Sequence, residues 1–244
     1  MEEKKRQITQ DDMIKILDKL YSASVQGLPK VSPPISKLAD DYLSKNEDVN
    51  EAAKSFINYQ IAKCTTSGFL TGFGGFITLP ITIPANLSSV LYVQMRMIAC
   101  LAYMGGYDTN SDQVQTLVYA CLAGISLDTV VKQIGIKVGV KVANNLVKKI
   151  PGKVLTKINQ KVGFRLLTKF GSKGIINIGK GVPILGAVIG GAFDFIETKA
   201  IAKRAYKMFL LGDFSTDEKN GETETIEISS DDYNVVEDDF STIQ

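Results

Sequence analysis

The chain has 244 residues, of which 45% are hydrophobic and 22% are charged, so it can bury a sizeable core as a folded protein does. It contains no histidine, which excludes His-based catalytic triads, HExxH zinc sites and imidazole proton transfer. The net charge of +2 conceals a slightly acidic first half, a strongly basic stretch over 129–211 and an acidic stretch over 212–244.

The cysteines and the N-terminus indicate the cellular compartment of the protein. Three cysteines lie far apart, at Cys64, Cys100 and Cys121, and an odd number without CxxC spacing predicts reduced, buried thiols. Residues 1–10 are charged and lack the apolar core of a signal peptide. These features predict a cytoplasmic protein, for which we expect no cofactor and no metal.

The N-terminal third of the chain is predicted to be helical. Thr9 and Asp12 have the spacing of a capping box and precede apolar residues at helical spacing. A linker with two prolines follows, over 27–34, and is expected to start a second helix after Ser32. A third helix is predicted from about Val49 to Cys64.

An uncharged run of 32 residues extends from Cys64 to Met95. Its length alone would permit a membrane span. Pro80, Pro84 and four glycines interrupt any continuous span, so we predict a buried or interfacial helical hairpin. The second helix of this hairpin is expected to end at Gly105 and Gly106, and Ser111 is expected to cap the helix after it.

Three glycine pairs have GxxxG spacing, which lets two helix backbones approach closely: Gly68/Gly72, Gly135/Gly139 and Gly186/Gly190. Core packing and membrane-related packing both explain such pairs. A further helix is predicted after Gly186, through Phe193 and Tyr206. Beyond Gly212 the acid content rises and large apolar residues become few, which predicts a disordered acidic tail.

The stretch from Val130 to Phe170 has an apolar residue at every fourth position. A basic residue directly precedes the apolar one in eight of eleven cases, namely Lys137, Lys141, Lys149, Lys153, Lys157, Lys161, Arg165 and Lys169. Pro151 and Gly152 divide the stretch into two predicted helices, each with lysines bordering its apolar face. Residues 136–142 also alternate with the period of a strand, so a strand is the alternative there.

The basic stretch has three possible interpretations: a solvated helix face, an anionic-lipid contact or a nucleic-acid footprint. Lysines suit diffuse phosphate surfaces, whereas nucleic-acid binding favours aromatic or arginine residues among the charges. The two aromatics here, Phe164 and Phe170, are interpreted as core residues. We therefore predict that the eight basic residues named above bind anionic lipid, and we do not expect nucleic acid.

Arg96 is the only charged residue between Lys63 and Asp108. It is interpreted either as a structural residue that snorkels or pairs with Asp108 or Asp128, or as a ligand for a lipid headgroup. We include it among the predicted lipid-binding residues. An enzyme that uses Arg96 with Asp108 or Asp194 is kept as an alternative, although no known catalytic motif is present.

Several segments together resemble the EcsC protein family of bacteria. They are the runs over 71–80 and 83–87, the sequence Gln-Met-Arg-Met-Ile-Ala over 94–99, the block over 103–108 and the glycine-rich run over 182–191. The resemblance covers about residues 50–211, and its family-matching positions are Pro80, Pro84, Arg96, Gly105 and Asp108. The predicted structural-motif positions are Gly72, Pro80, Pro84, Gly105, Asp108, Gly186 and Gly190. It carries over no catalytic residue. The family is named for a protein encoded beside an ABC transporter, which implies a role near a membrane.

The sequence thus predicts an all-α fold, a helical bundle of glycine-packed, proline-broken hairpins. The predicted organisation is N-terminal helices and a linker over 1–48, a helical domain over 49–211 and the acidic tail over 212–244. The predicted function is non-enzymatic, peripheral binding to the anionic inner-membrane surface, with a membrane protein such as a transporter as a possible partner. A membrane-inserting, pore-like effector is the second hypothesis, and any small-molecule substrate is left unspecified.

Overall fold

The structure is a computed structural model that describes residues 9–65, 85–127, 147–170 and 186–214. Side chains are described in these ranges except at 63–65, 85–87, 169–170 and 186–196. The described residues form seven helices and no strand, which confirms the predicted all-α fold. The helices are α1 (Gln10–Gln26), α2 (Ile35–Lys45), α3 (Val49–Thr65), α4 (Ala85–Met104), α5 (Asp112–Ala123), α6 (Gly152–Phe170) and α7 (Gly186–Leu210).

The predicted N-terminal caps are confirmed. The Thr9 hydroxyl accepts a hydrogen bond from the Asp12 amide at 3.1 Å, and the Asp12 carboxylate accepts one from the Thr9 amide at 3.0 Å. Ser111 caps α5 in the same way by accepting the Val114 amide at 3.3 Å. Each cap satisfies amides that the first turn of a helix leaves without a carbonyl partner.

Helix α4 is the centre of the bundle and packs against α1, α2, α3, α5 and α7. From Ser88 to Ala102 all of its side chains but Val90 are buried. A helix that is apolar on every side can be stable only when neighbours surround it, which explains its position. Both N-terminal helices contribute to the same core as the other five, while the division after residue 48 stays a prediction about domain organisation.

The C-terminal end of α4 lies very close to the end of α7. A Cβ atom added at Gly105 would collide with the backbone carbonyl of Phe209, so only glycine allows this approach. Gly106 then ends α4 with a φ of 79°. Its amide donates to Tyr103 and the Tyr107 amide donates to Ala102, which is the Schellman arrangement. The sequence prediction that α4 ends here is confirmed.

Helix α6 lies at the edge of the bundle, where it packs against α1 and α5. It begins at Gly152, directly after Pro151, as the sequence predicted. The approach of α6 to α1 is close at Gly163, where an added Cβ would lie 3.3 Å from the Gln10 carbonyl oxygen. Helix α6 is therefore held along one side and leaves its other side to solvent.

Several sequence predictions lie outside the described residues. They are the proline-marked turn with Gly68, Gly72, Pro80 and Pro84, the stretch 128–146 with Gly135, Gly139, Lys137 and Lys141 and its strand alternative, and the acidic tail from residue 215 onward. Gly186 and Gly190 lie in the first turns of α7, where side chains are not described.

Candidate functional site

The period-four apolar pattern builds one buried face on α6. Ile158, Val162 and Leu166 belong to this row and are buried in the core. In the row that follows it along the chain, Leu155 and Gly163 are buried as well, and Asn159 and Leu167 are half-buried. Because successive residues turn by about 100° around the helix axis, the two remaining rows must face away from α1 and α5.

The first of these exposed rows is basic. Lys153, Lys157, Lys161 and Arg165 are all exposed, and Lys149 is exposed in the turn before the helix. At a rise of about 1.5 Å per residue the four helical cations extend over about 18 Å. The sequence prediction that these side chains border an apolar helix face is confirmed.

The second exposed row contains small polar residues and one aromatic residue. Thr156, Gln160 and Thr168 are exposed in this row, and Phe164 is 56% exposed. Phe164 is the most exposed large hydrophobic residue that the structure describes. The interpretation of Phe164 as a core residue was therefore wrong. It lies two positions from both Val162 and Leu166, which places it on the opposite side of the helix from the buried row.

The basic row has no acidic residue close to it in sequence. The range 147–170 contains no Asp or Glu. Among described residues, the ion pair found joins Lys45 to Asp41 at 3.1 Å on α2, and Lys153, Lys157 and Lys161 form none. These three ammonium groups are free to bind an anion from outside the fold. Phe164, three positions after Lys161, is exposed beside this row.

Arg96 lies in a different part of the molecule and is only 6% exposed. Its Nη1 donates to the carbonyl of Ser24 at 2.8 Å, and its Nη2 donates to the carbonyl of Pro33. These carbonyls belong to the end of α1 and to the connection between α1 and α2. The guanidinium therefore binds the α1–α2 connection to α4. Its role is structural, as one interpretation predicted, but its partners are these backbone carbonyls and not the Asp108 carboxylate.

Polar neighbours complete the surroundings of Arg96. The Tyr92 hydroxyl lies 2.7 Å from the Ser32 hydroxyl, and the Ser32 hydroxyl accepts the Leu28 amide at 3.1 Å. Burial lowers the pKa of Arg96, and the Tyr92 hydroxyl acts in the opposite direction. Since its partners lie 63 and 72 positions away in the chain, no local pattern could have revealed them.

The residues of the enzyme alternative have separate structural contacts. The Asp108 carboxylate is exposed and accepts the Asn110 amide at 3.0 Å, while its carbonyl accepts the Ser111 hydroxyl at 2.8 Å. Asp108 thus forms the turn that leads into α5, and Arg96 binds carbonyls elsewhere. The side chain of Asp194 lies outside the described residues, as does that of Lys169. Within the part of the chain that is described, no cluster of three or more Cys, Asp or Glu could hold a metal.

None of the seven helices, over the residues described, combines the length and the apolar character that crossing a bilayer requires.

A family model described as EcsC protein family matches residues 3–211. No curated protein matches the chain, and no solved structure does. The match includes α1 and α2, which precede the segments that carry the resemblance. It ends at residue 211, directly before the acidic tail.

Proposed function

We propose that this chain, which belongs to the EcsC protein family, binds anionic membrane surfaces peripherally through the exposed face of α6. This face is defined by Lys153, Lys157, Lys161 and Arg165 together with Phe164. The observation that carries the proposal is the exposed phenylalanine beside a row of cations that has no acidic residue within 147–170.

The charges supply the long-range part of the attraction. Each Lys or Arg near an anionic leaflet contributes about 1 kcal/mol, so the row contributes about 4 kcal/mol. Because the row extends over about 18 Å, it matches a surface of many phosphates better than a single headgroup. Flexible ammonium groups also follow phosphates that move in the plane of the leaflet.

Phe164 supplies the short-range part. A ring that is already exposed loses contact with water when it enters the headgroup region, which contributes about 1–2 kcal/mol. Charge and apolar contact together give attachment that is reversible. Arg96 is not part of the proposed site, because its guanidinium is buried on two backbone carbonyls.

Co-sedimentation with vesicles tests the proposal. The wild-type chain is mixed at 0.1 M salt with vesicles of phosphatidylglycerol and phosphatidylcholine, or of phosphatidylcholine alone. We expect binding to the anionic vesicles, and about a hundredfold weaker binding after the triple change Lys153→Gln, Lys157→Gln and Lys161→Gln. Phe164→Ser leaves the charge unchanged and is expected to weaken binding about tenfold.

The matched control is a triple change of exposed lysines elsewhere, namely Lys30→Gln, Lys37→Gln and Lys54→Gln. This control changes the net charge by the same amount. We expect its affinity to stay within about threefold of wild type, because the changed residues lie on or beside α2 and α3 rather than on α6. Equal losses from the two triple variants, or no binding of the wild type to anionic vesicles, would refute the proposal.

A further inference from the structure

We infer that the segment Asp231–Phe240 of the acidic tail docks on the exposed face of α6 and competes there with lipid. This inference rests on the proposed function for its biological meaning, since the tail would regulate attachment. The docking itself is independent of lipid. Three features support the docking: the place where the described chain ends, the distance that the tail can reach and the spacing of its charges.

The tail begins close to the helix that supports α6. Phe214 is buried, and its carbonyl accepts the Leu127 amide at 3.4 Å, just beyond the end of α5. The Asp213 amide donates to the Lys207 carbonyl at 2.9 Å. These contacts fix the start of the tail beside α5, and α5 packs directly against α6.

The tail is long enough to reach every point of α6. Asp231 is the seventeenth residue after Phe214, and an extended chain of that length covers up to about 60 Å. Helix α6 is about 28 Å long. Tethering also raises the effective concentration of the segment at α6 to the millimolar range, so a few ionic contacts suffice to hold it.

The charges of the two partners are complementary in number and in spacing. The segment contains Asp231, Asp232, Glu237, Asp238 and Asp239, and it contains no basic residue. In an extended backbone the two acidic groups are roughly 20 Å apart, which is close to the length of about 18 Å over which the cations of α6 extend. A parallel alignment with the first group at Lys153 places the second group about 18 Å further along, at Arg165, with Lys161 one turn before it.

The apolar residues fit the same alignment. Phe240 directly follows the second acidic group, and Phe164 directly precedes Arg165 on α6. A contact between the two rings would cover the phenylalanine that α6 leaves exposed, and paired aromatic rings gain about 1 kcal/mol beyond the area they bury. The docked segment would thus cover both the charged and the apolar parts of the lipid-binding face.

Cross-linking of the full chain without lipid tests the docking directly. A water-soluble carbodiimide, which joins a carboxylate to a lysine amine, is applied at 0.05 M salt and the products are mapped by mass spectrometry. We expect links from Asp231 or Asp232 to Lys153 or Lys157, and from residues 237–239 to Lys161. They should disappear at 1 M salt, where screening reaches about 3 Å. The absence of links between the segment and α6 at low salt would overturn the inference, whatever the chain does with vesicles.

Vesicle binding tests the competition. In one variant the five acids of the segment become Asn or Gln. In the control variant the five acids nearer the fold, Asp217, Glu218, Glu222, Glu224 and Glu227, are changed in the same way, so both variants carry the same net charge. We expect the first variant to bind anionic vesicles about tenfold more tightly than wild type and the control no more than about twofold. Equal gains in the two variants would mean that only net charge matters and would overturn the inference. Both series lie outside the residues that the family model matches.

Discussion

The close packing of the α4 and α7 backbones requires glycine at position 105. Substitution of this one residue therefore tests that packing. Gly105→Ala would force a Cβ against the Phe209 carbonyl, so we expect a loss of about 2–4 kcal/mol in the free energy of unfolding. The matched control is Gly152→Ala at the start of α6, where an added Cβ has no atom within 4 Å. That change should be neutral or stabilising by up to about 1 kcal/mol. Urea unfolding measures both, and similar effects would contradict the packing argument.

Arg96 is expected to be necessary for stability. Arg96→Met would leave the carbonyls of Ser24 and Pro33 without this donor, at a cost of about 3 kcal/mol. Arg96→Lys keeps the charge, but the lysine ammonium cannot donate to both carbonyls at once. The loss in the free energy of unfolding should therefore be intermediate. As a control, Lys54→Met changes an exposed cation on α3 and should stay within about 0.5 kcal/mol. Urea unfolding of the three variants distinguishes a structural Arg96 from a dispensable one.

The buried thiols give stability a defined dependence on pH. Burial raises the pKa of Cys100 and of Cys121 from 9.0 to about 12. Between these values the folded chain keeps protons that the unfolded chain releases, so the free energy of unfolding falls as pH rises from about 9 to about 12. Burial also raises the pKa of Tyr21 and Tyr119, which acts in the same direction.

Urea unfolding at pH 8, 9.5 and 10.5 measures this dependence. We expect stability to decrease across the series, and to decrease less steeply in the double variant Cys100→Ala and Cys121→Ala. The comparison of slopes removes the cost of the substitutions themselves, since that cost is the same at each pH. Identical slopes for the two proteins would contradict the proposed protonation of the buried thiols.

At the scale of the helix, the two side-chain caps should contribute independently. Thr9→Ala and Ser111→Ala each remove a cap that accepts a first-turn amide, and each should cost about 1 kcal/mol. The caps begin different helices, and neither bonds to the other, so the double variant should lose the sum of the two. Thr168→Ala, which alters an exposed position on α6, serves as the control. Thermal unfolding that shows no loss in either single variant would contradict the capping geometry.

Helix ends could be predicted from sequence because their causes are local. Thr9 with Asp12, Ser111 and Gly106 each act within a few residues, and each does so in the structure. The cationic row of α6 was predictable for the same reason, as it follows from helix period. The exposed position of Phe164 could also have been predicted from the helix period, but its apolar side chain led to the wrong interpretation.

Contacts between distant helices could not be predicted in the same way. The two carbonyls that Arg96 binds, and the Phe209 carbonyl that requires Gly105, come from segments far along the chain. Their positions depend on how all the helices pack around α4. The packing of α6 against α1 and α5 also depends on that arrangement. This packing determines which face of α6 is exposed to solvent.

For the whole molecule, the segregation of charge determines how attachment should respond to salt. Screening reaches about 10 Å at 0.1 M salt and about 3 Å at 1 M, so the α6 face should release the membrane when salt is raised. We expect the chain to sediment with membranes from lysed cells and to be released by a 1 M salt wash. Nuclease treatment before sedimentation is the control for binding to nucleic acid. Retention after the wash would favour the membrane-inserting alternative, and a wholly soluble chain would contradict both membrane hypotheses.

The central position of α4 has a consequence for the order in which the protein is made. Helix α7 packs against both α3 and α4, yet a ribosome completes α4 more than 100 residues before it completes α7. At about 5–20 residues per second, the apolar surface shared by the earlier helices stays uncovered for roughly 5–20 s. During that interval the nascent chain is a partial helical bundle with exposed apolar surface. We expect a chaperone at the ribosome exit to bind this surface.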